Sequence, residues 1–597
     1  MSEQDQSVDV LVVGSGNGGL TAALCAYELG VKNVLVIEKS ARYGGTSATS
    51  GGGVWIPCNR YAKAAGAADS FAEAREYLRQ TIPRDAVPEE LIDTYLREGP
   101  RMIDFLHERT RVRYQTLAHY PDYWSFLPGA KSGHRSMEPE PVYRDVLGGE
   151  GALLRDTHHM MWMFDRIAMT QVEAQVLMAQ MPGWRSVASR MLWDYLSDVR
   201  WFLRHRRSRR LACGSAGVAR LRWSMLDRNL PLWLGTSLVE LIGNDCGHVT
   251  GAIVQRDGAR IVIHARRGII LAAGGFEHNQ VMREQYLPKP TDAEWSAAAG
   301  TNRGEAIRAA MSLGAATRLM SGAWWCSTIR APDDPVPRLA IMEKSYPGNC
   351  VVTRRGRRIA NESQNYMSYQ LQFFSKHSDA DPQAPSWMIF DARFRRSYFA
   401  GPLWPSKWKP DWMLPKSYFT SGFLTRADSI RALAHGAGID VEGLEQTVRA
   451  MNEYARTGKD VEFGRGDAEY DRYYADPTIK PNPCLAPIQK PPFYAMRIEP
   501  GDFGTHGGLA IDSNAQVLDL EGTPIPGLYA TGNCAAAVLP TYPGPGSTLG
   551  PAMTFAWQAA KHLAAIQSGE SHERRTHSGP GGAARAGASR DGSARVR

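Results

Sequence analysis

An apolar run from Val8 to Val13, interrupted only by Asp9, stops at Gly14-Ser15-Gly16-Asn17-Gly18-Gly19, and the next residues, Leu20 to Leu29, read as a helix. A short apolar run bounded by glycine predicts a buried strand. A second such run, Val34 to Ile37, ends at Glu38. This order predicts a βαβ unit. Its glycines permit a tight turn and close backbone approach, the helix N-terminus offers free N–H groups and a positive dipole to a pyrophosphate, and the acid accepts ribose hydroxyls. A chance glycine loop is the alternative, and the strand before it, the helix after it and the acid beyond speak against it.

The glycine richness then continues. From Glu38 and Lys39 the chain runs through Gly44, Gly45, Thr46, Ser47, Ser50, Gly51, Gly52 and Gly53, where an NAD domain would resume its alternation. Two further apolar strands enter glycine turns, Gly268 to Phe276 through Ala273 and Gly274, and Gly527 to Asn533 through Gly532. Together these segments resemble the FAD-binding segments of the fumarate reductase and succinate dehydrogenase flavoprotein superfamily. The resemblance implies an α/β fold: a discontinuous, doubly wound (Rossmann-like) FAD-binding domain with an inserted α+β catalytic capping domain, holding FAD non-covalently. The expected division is 1–325 and 494–567 for the FAD-binding domain, 326–493 for the catalytic domain, and a tail, 568–597, too poor in apolar residues to order. Thr548 and Leu549 complete the expected cofactor contacts.

Near the C-terminus stands Thr541-Tyr542-Pro543-Gly544-Pro545-Gly546. A tyrosine hydroxyl and a backbone N–H four residues on, at the entry to a helix, form a two-donor hole able to stabilise an enolate. This stretch resembles the signature of the 3-ketosteroid Δ1-dehydrogenases, as do Gly501 to Gly508, Asn361-Glu362-Ser363 and Pro121-Asp122-Tyr123. The resemblance assigns Tyr542 and Gly546 to the C3 ketone, Tyr366 to the general base and Tyr123 to its partner, with Tyr114 and Tyr120 close by. It implies loss of a proton from C2 and a hydride from C1 to flavin N5, turning a 3-keto-4-ene steroid into a 1,4-diene-3-one in steroid or sterol degradation, with a quinone-like or other acceptor reoxidising the flavin. The chain departs from the family pattern at Asn365 and Pro543, where proline and alanine are usual. Proline at 543 disfavours a helical Tyr542.

Alternatives on the same scaffold are Δ4-(5α) dehydrogenation, enoate reduction and a non-catalytic flavin protein. The Δ4-(5α) enzymes carry serine where this chain has Gly544, and fumarate reduction needs an arginine in the turn that carries Tyr542 and Gly546. Most of the 23 tyrosines are expected to pack. Trp324, Trp325 and Phe423 have two readings, as substrate-facing aromatics or as core, and His506 is expected to be a loop or flavin-edge contact.

Charge changes the picture in one place. Lysine and arginine exceed aspartate and glutamate by 69 to 61, and Arg200, Arg204, Arg206, Arg207, Arg209 and Arg210 fall together without an acid. Before them Trp184, Val187, Ala188, Met191, Leu192, Tyr195, Val199, Phe202 and Leu203 recur at helical spacing, within an insertion at about 160–212. The 184–210 stretch has two readings, an apolar face packed on the body or one lying in a bilayer interface beside anionic headgroups. No groove-reading motif supports nucleic acid. The polar N-terminus and the scattered eight cysteines predict a cytoplasmic protein without disulfides or metal, peripheral to the inner membrane face if the second reading holds. Subunit number is not legible.

Overall fold

A computed structural model of the chain describes residues 4–178 and 181–566. The tail at 568–597 lies outside the described residues. Strand β1 (Gln4–Val13), helix α1 (Asn17–Glu28) and strand β2 (Val34–Ile37) form the predicted unit, with β1 and β2 parallel. Val10, Leu11, Val12, Val36 and Ile37 are fully or almost fully buried, which is why both strands are continuous apolar runs rather than alternating ones. Next come β3 (Leu232–Trp233), β4 (Thr236–Gly243), β5 (Val249–Arg256) and β6 (Ala259–Leu271). Strand β3 lies parallel to β2 and β6 parallel to β1, while β5 pairs antiparallel with β6 and β4 antiparallel with β5.

A second sheet contains β7 (Asn349–Thr353), β8 (Ser386–Phe390), β9 (Leu424–Ala427) and β10 (Phe493–Ile498), all antiparallel in the order β7-β8-β10-β9. Helix α2 (Tyr366–Lys376) lies between β7 and β8 in the chain. The sheet has its own small core, where Val352, Ile389 and Ala495 meet Leu433, Leu444 and Val448. Strand β10 pairs with β8 and β9 and straddles the boundary expected at residue 493.

The chain then returns through β11 (Asp502–Thr505), β12 (Gln516–Leu518) and β13 (Pro524–Ala530) to α3 (Leu549–Ala565). Strand β13 pairs in parallel with β6, Ile269 opposite Leu528, and α3 packs on α1. The parallel core therefore runs β3-β2-β1-β6-β13, closed by a strand from the far end of the sequence.

In the insertion the predicted helix is two, Trp184–Ser197 and Val199–Phe202, because Asp198 leaves the helical conformation at φ −80°, ψ 57°. Met191 and Tyr195 are buried in a small cluster with Ile167, Met169, Ala174 and Leu177, and Trp184, Val187, Ala188 and Phe202 pack against it. The nominated stripe is thus mostly a packing face. Leu192, Val199 and Leu203 turn outward, and with Trp193 (72% exposed) and Leu196 they form an apolar surface on the other side. Four of the six clustered arginines are ion-paired: Arg206 and Arg207 with Asp165, Arg209 with Asp198, Arg210 with Glu173. Among the described residues no helix is long and apolar enough to cross a membrane.

Candidate active site

One cavity joins the cofactor segments to the candidate catalytic residues. Its wall includes Gly14, Gly16, Gly18, Glu38, Lys39, Gly45, Thr46, Ser47, Ser50, Gly51, Gly52, Ala273, Gly274, Gly532, Asn533, Thr548 and Leu549, followed by Tyr123, Tyr366, Tyr542 and Gly546. Asn17, Gly19 and Gly44 lie behind that wall and shape it. The Asn17 N–H donates to Ser47 Oγ (3.0 Å), Gly44 adopts φ +109° with its N–H on Ser15 Oγ, and a Cβ at Gly19 would stand 2.0 Å from the Gly14 carbonyl oxygen.

The residues present fit a dinucleotide. Helix α1 begins without a side-chain cap or an acid in its first turn, and α3 begins likewise, so two positive helix ends open on the cavity. Thr548 Oγ1 in the wall and Asn17 Oδ1 behind it are buried polar atoms without a hydrogen-bond partner among the described residues. Glu38 is held by Ser15, whose Oγ donates to Oε2 (2.6 Å), and by the Ser40 N–H on Oε1 (2.9 Å). Lys39 is ion-paired with Glu305 at 2.7 Å. Ser15, Thr236, Asn302 and Glu305 also line the cavity. Ser15 lies within the first glycine turn, whereas Thr236, Asn302 and Glu305 come from segments that the sequence reading did not single out.

Four chain segments converge on the tyrosines. Tyr366 is the first residue of α2, and Asn365 caps that helix through its side chain, Oδ1 accepting from the Ser368 N–H at 2.9 Å. Asparagine in place of proline therefore leaves Tyr366 at a positive helix end. The Tyr123 hydroxyl donates to the Tyr366 hydroxyl at 2.8 Å. Tyr542 closes the group, its ring centroid 5.7 Å from both Tyr123 and Tyr366. It takes φ +61°, uncommon for a residue with a side chain and outside the right-handed helical region that a following proline disfavours. The Pro543 carbonyl accepts from the Tyr123 N–H (2.9 Å) and from the Tyr77 hydroxyl (2.6 Å), tying the turn to the Tyr123–Tyr366 pair.

Tyr542 and Gly546, the expected two donors, both line the cavity. Gly546 has φ +103°, and a Cβ there would lie 2.5 Å from Gly53 C and Val54 N. Gly544 is as tightly confined: a Cβ would stand 2.3 Å from Trp55 Nε1, which donates to Asp122 Oδ1 at 2.7 Å. Asp122 is also paired with Arg135 at 2.7 Å, both buried. This support for Tyr123 was invisible in the sequence apart from the neighbouring Asp122. Burial pushes the Tyr366 and Tyr123 hydroxyls well above the ordinary tyrosine range, and Tyr123 bonding to Tyr366 opposes that for Tyr366.

The Asn361-Glu362-Ser363 motif touches none of this cavity. Glu362 accepts from Arg358 (2.6 Å) and Arg465 (3.3 Å), Ser363 Oγ accepts from Arg465 Nε (3.0 Å), and Asn361 donates to Asp471 (2.9 Å). It anchors the segment that delivers Tyr366. Tyr114 bonds to Met553 sulfur, away from the group, whereas Tyr120 lines the cavity. Trp325 packs on Phe374 and Phe423 on Tyr418. Trp324 backs Tyr542 at 5.3 Å, and behind it His506 is neutral, burial pushing its pKa down to about 4.

The FAD binding domain family matches residues 9–549. Among solved structures, the 3-ketosteroid Δ1-dehydrogenase of Sterolibacterium denitrificans in complex with 1,4-androstadiene-3,17-dione is similar at 44% identity and TM-score 0.90, over 94% of this chain and 100% of that one. The curated 3-oxosteroid 1-dehydrogenases of Mycolicibacterium smegmatis and Mycobacterium tuberculosis are 38% and 37% identical, each over 94% of this chain and 98% of their own.

Proposed function

The chain belongs to the FAD-binding-domain flavoproteins, within the 3-oxosteroid 1-dehydrogenase family, and from that membership we propose that it dehydrogenates 3-keto-4-ene steroids between C1 and C2. The observation that carries this reading is the pairing, across one cavity, of the Tyr542 and Gly546 donors with the Tyr123–Tyr366 hydroxyl pair. Bound FAD supplies a hydride acceptor. The Tyr542 hydroxyl and Gly546 N–H donate to the C3 ketone oxygen, holding charge as it develops there and making the C2 proton acidic. Tyr366 takes that proton. Ionising an ordinary tyrosine at pH 7 costs about 4 kcal/mol, and burial adds to this, so the hydrogen bond from Tyr123 and the α2 N-terminus are what make Tyr366 a base. The confinement of Gly544 by Trp55 argues against Δ4-(5α) chemistry, which goes with serine at this position.

The FAD-binding body in this reading comprises residues up to 325 and those after Ile498, with the catalytic domain between. A lipid-soluble quinone suits the acceptor, and we place contact with an anionic membrane at Leu192, Trp193, Leu196, Val199 and Leu203, beside Arg200 and Arg204. Vesicle co-sedimentation tests this: Trp193→Ser with Leu203→Ser should release the protein, and unchanged binding would refute it. The reaction itself is tested by mixing the flavin-loaded protein anaerobically with a 3-keto-4-ene steroid. Bleaching of the flavin with formation of a 1,4-diene-3-one is expected. No bleaching, or bleaching only with a 5α-saturated ketone, would overturn the assignment.

A further inference from the structure

One stretch of the cavity wall belongs neither to the cofactor segments nor to the catalytic tyrosines. His158, Met160 and Met161 reach it from the insertion and the residues leading into it, and Leu339, Ile341 and Met342 from the catalytic domain. Apart from His158 these side chains are apolar, and Met160, Met161, Leu339 and Ile341 are only partly buried. His158 has both ring nitrogens engaged: Nδ1 accepts from the Met160 N–H at 3.2 Å, and Nε2 donates to the Pro337 carbonyl at 3.0 Å. Burial keeps the ring neutral, its pKa pushed down to about 3, so the single ring proton is the one given to Pro337.

The two sides of this wall are joined. Besides the His158–Pro337 bond, His159 faces the Asp334 carboxylate at 3.4 Å, and Arg338 pairs with Asp334 at 2.7 Å. The His158 N–H donates to the Thr49 carbonyl at 3.0 Å, which ties the wall to the second glycine segment. On the other side Leu339 lies opposite Thr328 in a short antiparallel pair, and Thr328 exchanges backbone hydrogen bonds with Glu499. Glu499 stands shortly before β11, whose Phe503 ring lies 5.8 Å from that of Tyr366. The nucleus of a 3-ketosteroid is rigid, with C3 at one end of the fused rings and C17 at the other. With the ketone at Tyr542 and Gly546 and the glycine segments given to FAD, the C17 end falls to this wall.

Resting on the proposed Δ1-dehydrogenation, we propose that Met160, Met161, Leu339 and Ile341 select the C17 substituent, and that the substituent they take is a hydrocarbon side chain in preference to a 17-ketone. A branched alkyl chain laid on these residues leaves water and gains contact with apolar atoms on both sides. A 17-ketone in the same place gives up its hydration, and the polar side chain of this stretch, His158, has no proton left to donate to it. The methionines suit a flexible chain, since an unbranched thioether with three rotatable bonds can follow its branching.

The test compares cholest-4-en-3-one with androst-4-ene-3,17-dione, both delivered in the same cyclodextrin carrier, as anaerobic reductants of the flavin-loaded protein. In wild type the second-order rate constant for bleaching should favour the side-chain steroid by roughly tenfold or more. In Met160→Gln and Leu339→Gln, made singly, that ratio should fall by roughly fourfold or more, through the half-saturating concentration and not the limiting rate. Wild type that bleaches with both steroids but favours the 17-ketone, or treats the two alike within about threefold, would refute the selection and leave the reaction standing. Variants that slow both steroids equally would do the same. Wild type that bleaches with neither would refute the parent reading and the selection with it. The variants lie on different segments, so one carries the test if the other loses its flavin, and the wild-type ratio is decisive without either.

Discussion

Replacing Tyr542 by phenylalanine isolates one donor of the proposed hole. The ring would keep its neighbours, Trp324 at 5.3 Å, Tyr123 and Tyr366 at 5.7 Å and Phe503 at 5.8 Å. It would also keep the φ of +61°, whose strain of about 1–3 kcal/mol is common to both proteins and cancels in the comparison. Only the hydroxyl goes, a stability loss of about 0.5–1.5 kcal/mol. The turn is held independently of it, through the Pro543 carbonyl on Tyr123 and Tyr77. Flavin content and melting temperature should therefore stay near those of wild type. Catalysis should not, because the lost donor acts on charge that develops only in the transition state. Removal of one such donor lowers the chemical step by about 10²–10³, or about 2.7–4 kcal/mol. Anaerobic bleaching by a saturating 3-keto-4-ene steroid measures it, with product identified by mass and ultraviolet spectrum. A variant that keeps its flavin spectrum and bleaches within about fivefold of wild type would refute the oxyanion role of Tyr542.

The base should give the bleaching rate a rising pH dependence through the alkaline range, because Tyr366 acts only when deprotonated and burial pushes its pKa above the ordinary value; a rate flat from neutral to alkaline pH would count against it. Gly544→Ser should slow bleaching and destabilise the protein by about 1–3 kcal/mol, since its Cβ meets Trp55 Nε1 at 2.3 Å, and should bring no new activity on 5α-saturated ketones; such activity would sink the argument from confinement. Glu362→Ala should lower stability by about 3–5 kcal/mol in thermal melting, leaving Arg465 buried without a carboxylate and Arg358 with Asp460 and Glu462 alone. Burial alone would raise the Glu362 pKa, but those guanidiniums together hold it below the ordinary value. Its contribution is thus present at neutral pH and lost as pH falls through the lowered pKa, so wild type and variant should converge in stability in acid.

What could be read from the sequence is what chemistry restricts locally. Gly546 is legible because φ +103° and backbone at 2.5 Å admit only glycine, and the turn around Tyr542 because prolines and glycines there are too restrictive to serve packing alone. The strand–turn–helix at Val8 to Leu29 is legible for the same reason. What was not legible depends on partners brought together by the fold. Tyr120 and Tyr123 are three residues apart and chemically identical, and only the return of Tyr366 and Tyr474 from elsewhere in the chain distinguishes their places. Helical periodicity over 184–203 announced a buried face without naming what covers it, and a single non-helical residue, Asp198, turned Val199 and Leu203 outward. The arginine cluster looked unneutralised because its partners, Asp165 and Glu173, lie outside its own window of sequence. A charge run has meaning only after its ion pairs are subtracted, and the subtraction leaves Arg200 and Arg204 beside the outward-facing leucines and Trp193. The membrane contact proposed above therefore combines Leu192, Val199 and Leu203 of the periodic stripe with Trp193 and Leu196 outside it, and a variant of Trp184, Met191 and Phe202 would disturb the insertion's core instead of testing lipid binding.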